Sequence, residues 1–129
     1  MPNAVVKVLM IEDDKFLCEL AKEQFTKEGF QTICAMEGES GVHLAEKELP
    51  DIILLDILLP GLDGFEVLKH IRANPSLKKT RVIMLSNFAR EEEREKARQL
   101  GADLFLTKAE YTLDKIVGVM REVLTPPKK

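Results

Sequence analysis

The sequence predicts one α/β domain: a doubly wound, five-stranded parallel sheet with five flanking helices, for which 2-1-3-4-5 is the common, flavodoxin-like strand order. Three observations predict it. Short apolar runs alternate with longer amphipathic segments from end to end. Most of the runs are continuously apolar, as parallel strands covered on both faces require. And 129 residues suffice for one core but not two.

The elements follow in order. The first apolar run, Val5–Ile11, leads to a helical pattern in which Leu17, Leu20, Ala21 and Phe25 recur at helical spacing, closed by Gly29. The second run, Thr32–Ala35, precedes a shorter helical pattern around Val42–Ala45 that stops before Pro50. The third, Ile52–Leu55, enters a Pro60-Gly61 loop; Asp63 then suits the N-cap of a helix over Phe65–Ile71, and Asn74-Pro75 marks the next loop. The fourth, Val82–Leu85, is followed by the charge-dense segment Arg90–Leu100, ended by Gly101. Its acids crowd the first turn and its bases the last, which suits the helix dipole. Only Ala97 and Leu100 offer apolar anchors, so the segment reads first as a solvated face; the functional reading is that so few buried contacts make the helix easy to displace. The fifth run, Leu104–Leu106, leads through an N-cap at Thr112 to Leu113, Ile116, Val117, Met120 and Leu124. One domain over residues 1–129 results, with a core of about 5–124. Residues 125–129 form a tail or the stub of a linker.

Composition narrows the function classes. The chain is 45% hydrophobic and 32% charged, with a formal net charge of -3, and its bases are mixed with acids rather than gathered in a patch. Nucleic acid is therefore not an expected partner. No apolar stretch is long enough to span a membrane. Met1 leads into the first run without a basic leader or small-residue cleavage site, which predicts a cytoplasmic protein. Cys18 and Cys34 lie among apolar residues at no metal-ligand spacing, as buried thiols of a reducing compartment do. His43 and His70 fall in helical segments away from any strand end and read as solvated or half-buried.

In open parallel sheets, ligands bind outside the carboxyl ends of the strands. The first run stops at Glu12-Asp13-Asp14, the third at Asp56, the fourth at Ser86 and the fifth at Thr107-Lys108. Taken singly, an acidic pair after a strand is often a helix N-cap, and a lone aspartate a loop residue. Jointly, at successive strand ends, they point to a site. Glu12, Asp13 and Asp56 concentrate negative charge, which is costly unless a proton or a cation relieves it. Mg²⁺, a small hard ion bound by one or two carboxylates, waters and phosphate oxygens, fits that set. Beside it Asp56 becomes a nucleophile toward phosphorus, with Lys108 and the Ser86 hydroxyl on other phosphoryl oxygens.

These residues resemble the receiver domains of two-component response regulators over essentially the whole chain. The matching pieces are Val8–Asp14, Pro50–Asp56 with Leu59–Gly64, Val82–Ser86 and Gly101–Lys108; the D-x-x-L-P-G-x-D-G pattern from Asp56 to Gly64 is specific even alone. The resemblance implies that Asp56 is the phosphoacceptor, in a Mg²⁺-dependent reaction for which Mn²⁺ is the alternative ion. The donor would be the phosphohistidine of a sensor histidine kinase or phosphotransfer protein, or a small phosphodonor. It places Asp13, Asp56 and the backbone carbonyl of Leu58 on the metal, with Glu12 acting mainly through metal-bound water. Ser86 and Phe105 would form a switch pair, the hydroxyl turning to the phosphoryl group and the ring moving inward. Output would pass to a protein target through the fourth helix, fifth strand and fifth helix, from a monomer or a phosphorylation-dependent dimer.

The pattern departs from the family after Lys108, and three further residues bear on the lifetime of a phosphoryl group. The residue after Lys108 is Ala109 where receiver domains usually carry a proline in cis, and a non-proline cis bond costs about 2.5–4 kcal/mol, so a trans bond is expected. Leu58 and Phe88 are apolar and Asn87 is larger than usual, which suggests shielding of an aspartyl phosphate from water.

Other classes fit less well. A non-phosphorylated receiver-like interaction module is the alternative. An aspartyl-nucleophile phosphatase resembling the haloacid dehalogenases needs a second aspartate where Leu58 stands. A flavodoxin-like cofactor binder shares the topology but would not place acids after the first strand. The expectation is a self-phosphorylating switch with at most slow autodephosphorylation, not a turnover enzyme.

Overall fold

Each apolar run becomes a strand with a helix behind it. A computed structural model describes residues 5–87 and 90–125 of the chain. Strands β1 (Lys7–Ile11), β2 (Gln31–Ala35), β3 (Ile52–Asp56), β4 (Arg81–Ser86) and β5 (Leu104–Thr107) alternate with helices α1 (Lys15–Lys27), α2 (Gly38–Glu48), α3 (Gly64–Ala73), α4 (Glu91–Gln99) and α5 (Leu113–Leu124). All strand pairs are parallel, in the expected order β2-β1-β3-β4-β5. Val5 stays outside β1 and is exposed: the ladder begins at Lys7, whose backbone N–H donates to the Asp51 carboxylate at 2.8 Å.

Alternation along the strands sorts the core into two layers. Leu9, Ile11, Ile53, Leu55, Val82 and Met84 meet Ala45 of α2, Phe65, Leu68 and Ile71 of α3 and Ala97 of α4. On the other face Val8, Met10, Ile52, Leu54, Ile83 and Leu85 meet Ala21 and Phe25 of α1 and Ile116, Val117 and Met120 of α5. Burial on both faces explains why the strands read as continuous apolar runs.

The helix ends match their residues. Asp63 accepts from the Glu66 N–H and Thr112 from the Lys115 N–H, as N-caps do. Gly29 and Gly101 hold the left-handed backbone that ends α1 and α4, at φ 95° and 101°. Asp14, one of the three acids after β1, is spent locally: its carboxylate caps α1 through the Leu17 N–H at 3.2 Å.

The register brings the strand ends to one rim. Ile11 pairs with Leu55, Asp56 with Leu85 and Ser86 with Thr107. The chain leaves β3 and returns as α3 tightly against it, the Gly64 N–H donating to the Ile57 carbonyl at 2.8 Å. A Cβ on Gly64 would collide with the Asp56 carbonyl oxygen and lie 2.7 Å from the Ile57 Cα, so only glycine fits beside the end of β3.

Candidate functional site

Glu12, Asp13, Asp56 and Lys108 come together. One carboxylate oxygen from each of the three acids lies within 4.8 Å of the other two. Glu12 and Asp56 are 2% and 6% exposed, whereas Asp13 faces solvent. The first two leave the sheet on neighbouring strands: Glu12 follows Ile11, its own N–H still donating to Ala35 of β2 at 2.9 Å, and Asp56 ends β3.

Lys108 crosses the cluster from the far side. It starts a short 3-10 turn, Lys108–Glu110, directly after β5. Its Nζ lies 2.6 Å from Glu12 Oε1 and 3.1 Å from Asp56 Oδ2, with the side chain 19% exposed. No peptide bond among the described residues is cis, so the Lys108–Ala109 bond is trans, as expected without proline. The ammonium reaches both acids from that backbone.

The electrostatics are unbalanced. Burial pushes the Glu12 carboxyl above its ordinary value; the Lys108 hydrogen bond opposes this and the Asp56 charge adds to it. Burial alone would lower the Lys108 ammonium, but the hydrogen bond to Glu12 and the charges of Asp56 and Glu12 outweigh it, and the ammonium is raised. Among the described residues, the three clustered carboxylates thus have one ammonium bonded into them, on Glu12 and Asp56. Oxygen donors of unit charge, two of them buried and aimed at a common point, suit a hard divalent cation better than a soft metal. The residues present fit Mg²⁺.

The backbone supports this arrangement. The Asp14 N–H donates to Glu12 Oε2 at 3.1 Å, and the Leu58 N–H to Asp56 Oδ1 at 3.4 Å. The Cys18 thiol donates to the Glu12 carbonyl at 3.5 Å, so a core thiol of α1 helps to fix the acidic turn. Both cysteines are free; Cys18 is buried, but Cys34 is only half-buried, since it lies on the edge strand β2.

Ser86, at the end of β4, is buried at the same rim, one residue past the partner of Asp56. Phe105, on β5, is half-buried beside the core layer of α2, α3 and α4. Leu58 is 65% exposed beside Asp56, and Asn87 is exposed. Phe88, the other half of the expected apolar shield, lies outside the described residues. His43 and His70 are exposed on α2 and α3.

The anchoring of α4 by its cations was missed by apolar pattern reading. Arg94 of α4 stacks over the Phe105 ring at 5.0 Å and donates to the Phe105 carbonyl and the Thr107 hydroxyl. Lys96 also stands over the Phe65 ring, at 4.4 Å. α4 is therefore anchored by Ala97, Leu100 and two cations, not by its apolar residues alone. The available signal was position: Arg94 lies three residues before Ala97, on the face that must turn inward.

Comparison with known proteins agrees with this fold. The family model for the response regulator receiver domain matches residues 8–120. The Vibrio cholerae chemotaxis protein CheY4 superposes with a TM-score of 0.87 at 24% identity, covering 93% of this chain and 99% of that one. The receiver domain of the Francisella response regulator 1452 gives 0.82 at 30% identity, over 92% of this chain and 95% of that one. A DNA-binding response regulator of the LuxR family from Staphylococcus aureus gives 0.85 at 26% identity, over 94% and 100%. Among the described residues, no helix is long and apolar enough to cross a membrane.

Proposed function

The chain belongs to the response regulator receiver family, and from that premise we propose that it is a switch phosphorylated on Asp56. The observation that carries this reading is the convergence of Glu12, Asp13 and Asp56 from neighbouring strand ends, clamped by Lys108. In the proposed reaction an Asp56 carboxylate oxygen attacks phosphorus, and the P–N bond of a donor phosphohistidine, or the P–O bond of a small acyl phosphate, breaks. Asp13, Asp56 and the Leu58 carbonyl would hold Mg²⁺, Glu12 acting mainly through its waters. When bound, the ion neutralises charge on the phosphoryl oxygens. Lys108 moves from its carboxylate partners to a phosphoryl oxygen, and the Ser86 hydroxyl takes another. Phe105 then turns inward, and the change passes along α4, β5 and α5 to a protein target.

The donor would be a sensor histidine kinase or phosphotransfer protein, and the setting cytoplasmic. Among the described residues, Glu12 and Asp56 are buried acids that share one cationic partner, Lys108, an arrangement with little structural purpose of its own. That favours a working site over a silent interaction module. Incubation with acetyl phosphate and Mg²⁺ is expected to add one phosphoryl group by intact mass, and chelation of the metal to abolish the gain. No gain with any donor, including a cognate kinase, would leave the silent module standing.

A further inference from the structure

The contact between α4 and β5 has more structure than a loosely held helix requires. Ala97 is the one fully buried residue of α4, so apolar contact alone does not seat it. Arg94 does much of the seating. Its guanidinium lies 5.0 Å from the centre of the Phe105 ring. One Nη donates to the Phe105 carbonyl at 3.2 Å and the other to Thr107 Oγ1 at 3.3 Å. Thr107 is the register partner of Ser86. A single planar group thus grips the ring, the carbonyl of the same residue and the hydroxyl at the rim, which a lysine could not do at once.

Resting on the switch reading above, we propose that Arg94 is a positioning residue that latches Phe105 in the unphosphorylated arrangement. Inward rotation takes the ring away from the guanidinium, while the bond to the Phe105 carbonyl can persist. The ring contact is therefore made in only one of the two states, and a contact of that kind biases the equilibrium by its own differential free energy. The reactive state is populated only after the latch opens, so the rate of phosphorylation scales with the unlatched fraction.

The test is the time course of phosphorylation by acetyl phosphate with Mg²⁺, read by intact mass, for wild type, Arg94→Ala, Arg94→Lys and Lys96→Ala. Arg94→Ala is expected to react about three- to tenfold faster, as loss of a half-exposed cation–ring contact implies. Arg94→Lys should fall between it and wild type. Lys96→Ala loosens α4 from Phe65 without touching Phe105 and should stay near the wild-type rate. A merely structural role for Arg94 would slow or leave unchanged the reaction, and an equal acceleration by Lys96→Ala would indicate general loosening; either overturns the latch. A wild type that takes no phosphoryl group sinks the switch reading instead. In that event nuclear Overhauser contacts of the Phe105 ring still decide whether Arg94 holds it: new contacts to buried neighbours should appear in Arg94→Ala and not in Lys96→Ala, and a ring that keeps its wild-type contacts overturns the latch. Circular dichroism checks that each variant is folded.

Discussion

Asp56→Asn is expected to abolish phosphorylation completely while leaving the protein folded. The amide keeps the size and shape of the carboxylate but offers no anionic oxygen to attack phosphorus. The fold should not suffer, because Lys108 still has Glu12 at 2.6 Å and one of three crowded negative charges has gone. Thermal unfolding in metal-free buffer should therefore occur at the wild-type temperature or above it. Intact mass after exposure to acetyl phosphate and Mg²⁺ checks the first half. A phosphoryl group gained at the wild-type rate would mean that Asp13 or Ser86 is the acceptor, and the assignment of Asp56 would fail.

Lys108→Met should behave in the opposite way, damaging both stability and reaction. Methionine preserves the aliphatic stem but withdraws the cation that bridges two buried carboxylates. Removing one partner from a buried ion pair costs about 3–5 kcal/mol; the rim position of this site argues for the lower end, about 3 kcal/mol. That loss should appear in a chelating buffer and shrink on adding Mg²⁺, because binding to the folded state alone stabilises it by mass action. Mg²⁺ should also bind more tightly than to wild type, since no ammonium competes for Glu12 and Asp56. Phosphorylation should nevertheless slow about a hundredfold, the usual effect of losing one preorganised donor to a developing oxyanion. Unfolding curves with and without Mg²⁺ check the stability claim. Identical stability in chelator for variant and wild type would show that the 2.6 Å and 3.1 Å contacts are not energetically coupled to the fold.

The contrast between these two substitutions reflects what was legible in the chain. Strand identity was plain because β1, β3 and β4 are buried on both faces, leaving apolar runs that no amphipathic helix would carry. The acids were legible for a related reason: where a buried strand emerges at the rim, side chains can become polar at once, as at Glu12, Asp56 and Ser86. Asp14 shows the limit of that logic. It adjoins Asp13 in sequence, yet it turns to cap α1 while Asp13 joins the cluster, and only the local backbone separates the two roles.

Long side chains were least legible. Lys108 could be placed at a strand end, but its simultaneous reach to Glu12 and Asp56 depends on strand order and on the turn at Lys108–Glu110. Arg94 lay inside a charge run that reads as solvated, and its inward role appears only once Phe105 is beside it in space. The charged staple at the opposite edge of the sheet is similar: Arg72 and Arg81 both bridge to Asp103, a three-residue arrangement spread over α3, β4 and the turn before β5. Apolar periodicity cannot report such contacts, because the burying atoms are the stems and guanidinium planes of residues counted as polar.

The most direct test of the central claim is a Mg²⁺ titration of the unphosphorylated wild type followed by backbone amide NMR. Saturable shifts centred on Glu12, Asp13, Asp56 and Leu58, with Lys108 perturbed as its carboxylate partners turn to the ion, are the predicted result. Shifts confined to exposed acids such as Glu91 and Glu92 on α4, with the β1 and β3 ends unmoved, would contradict it.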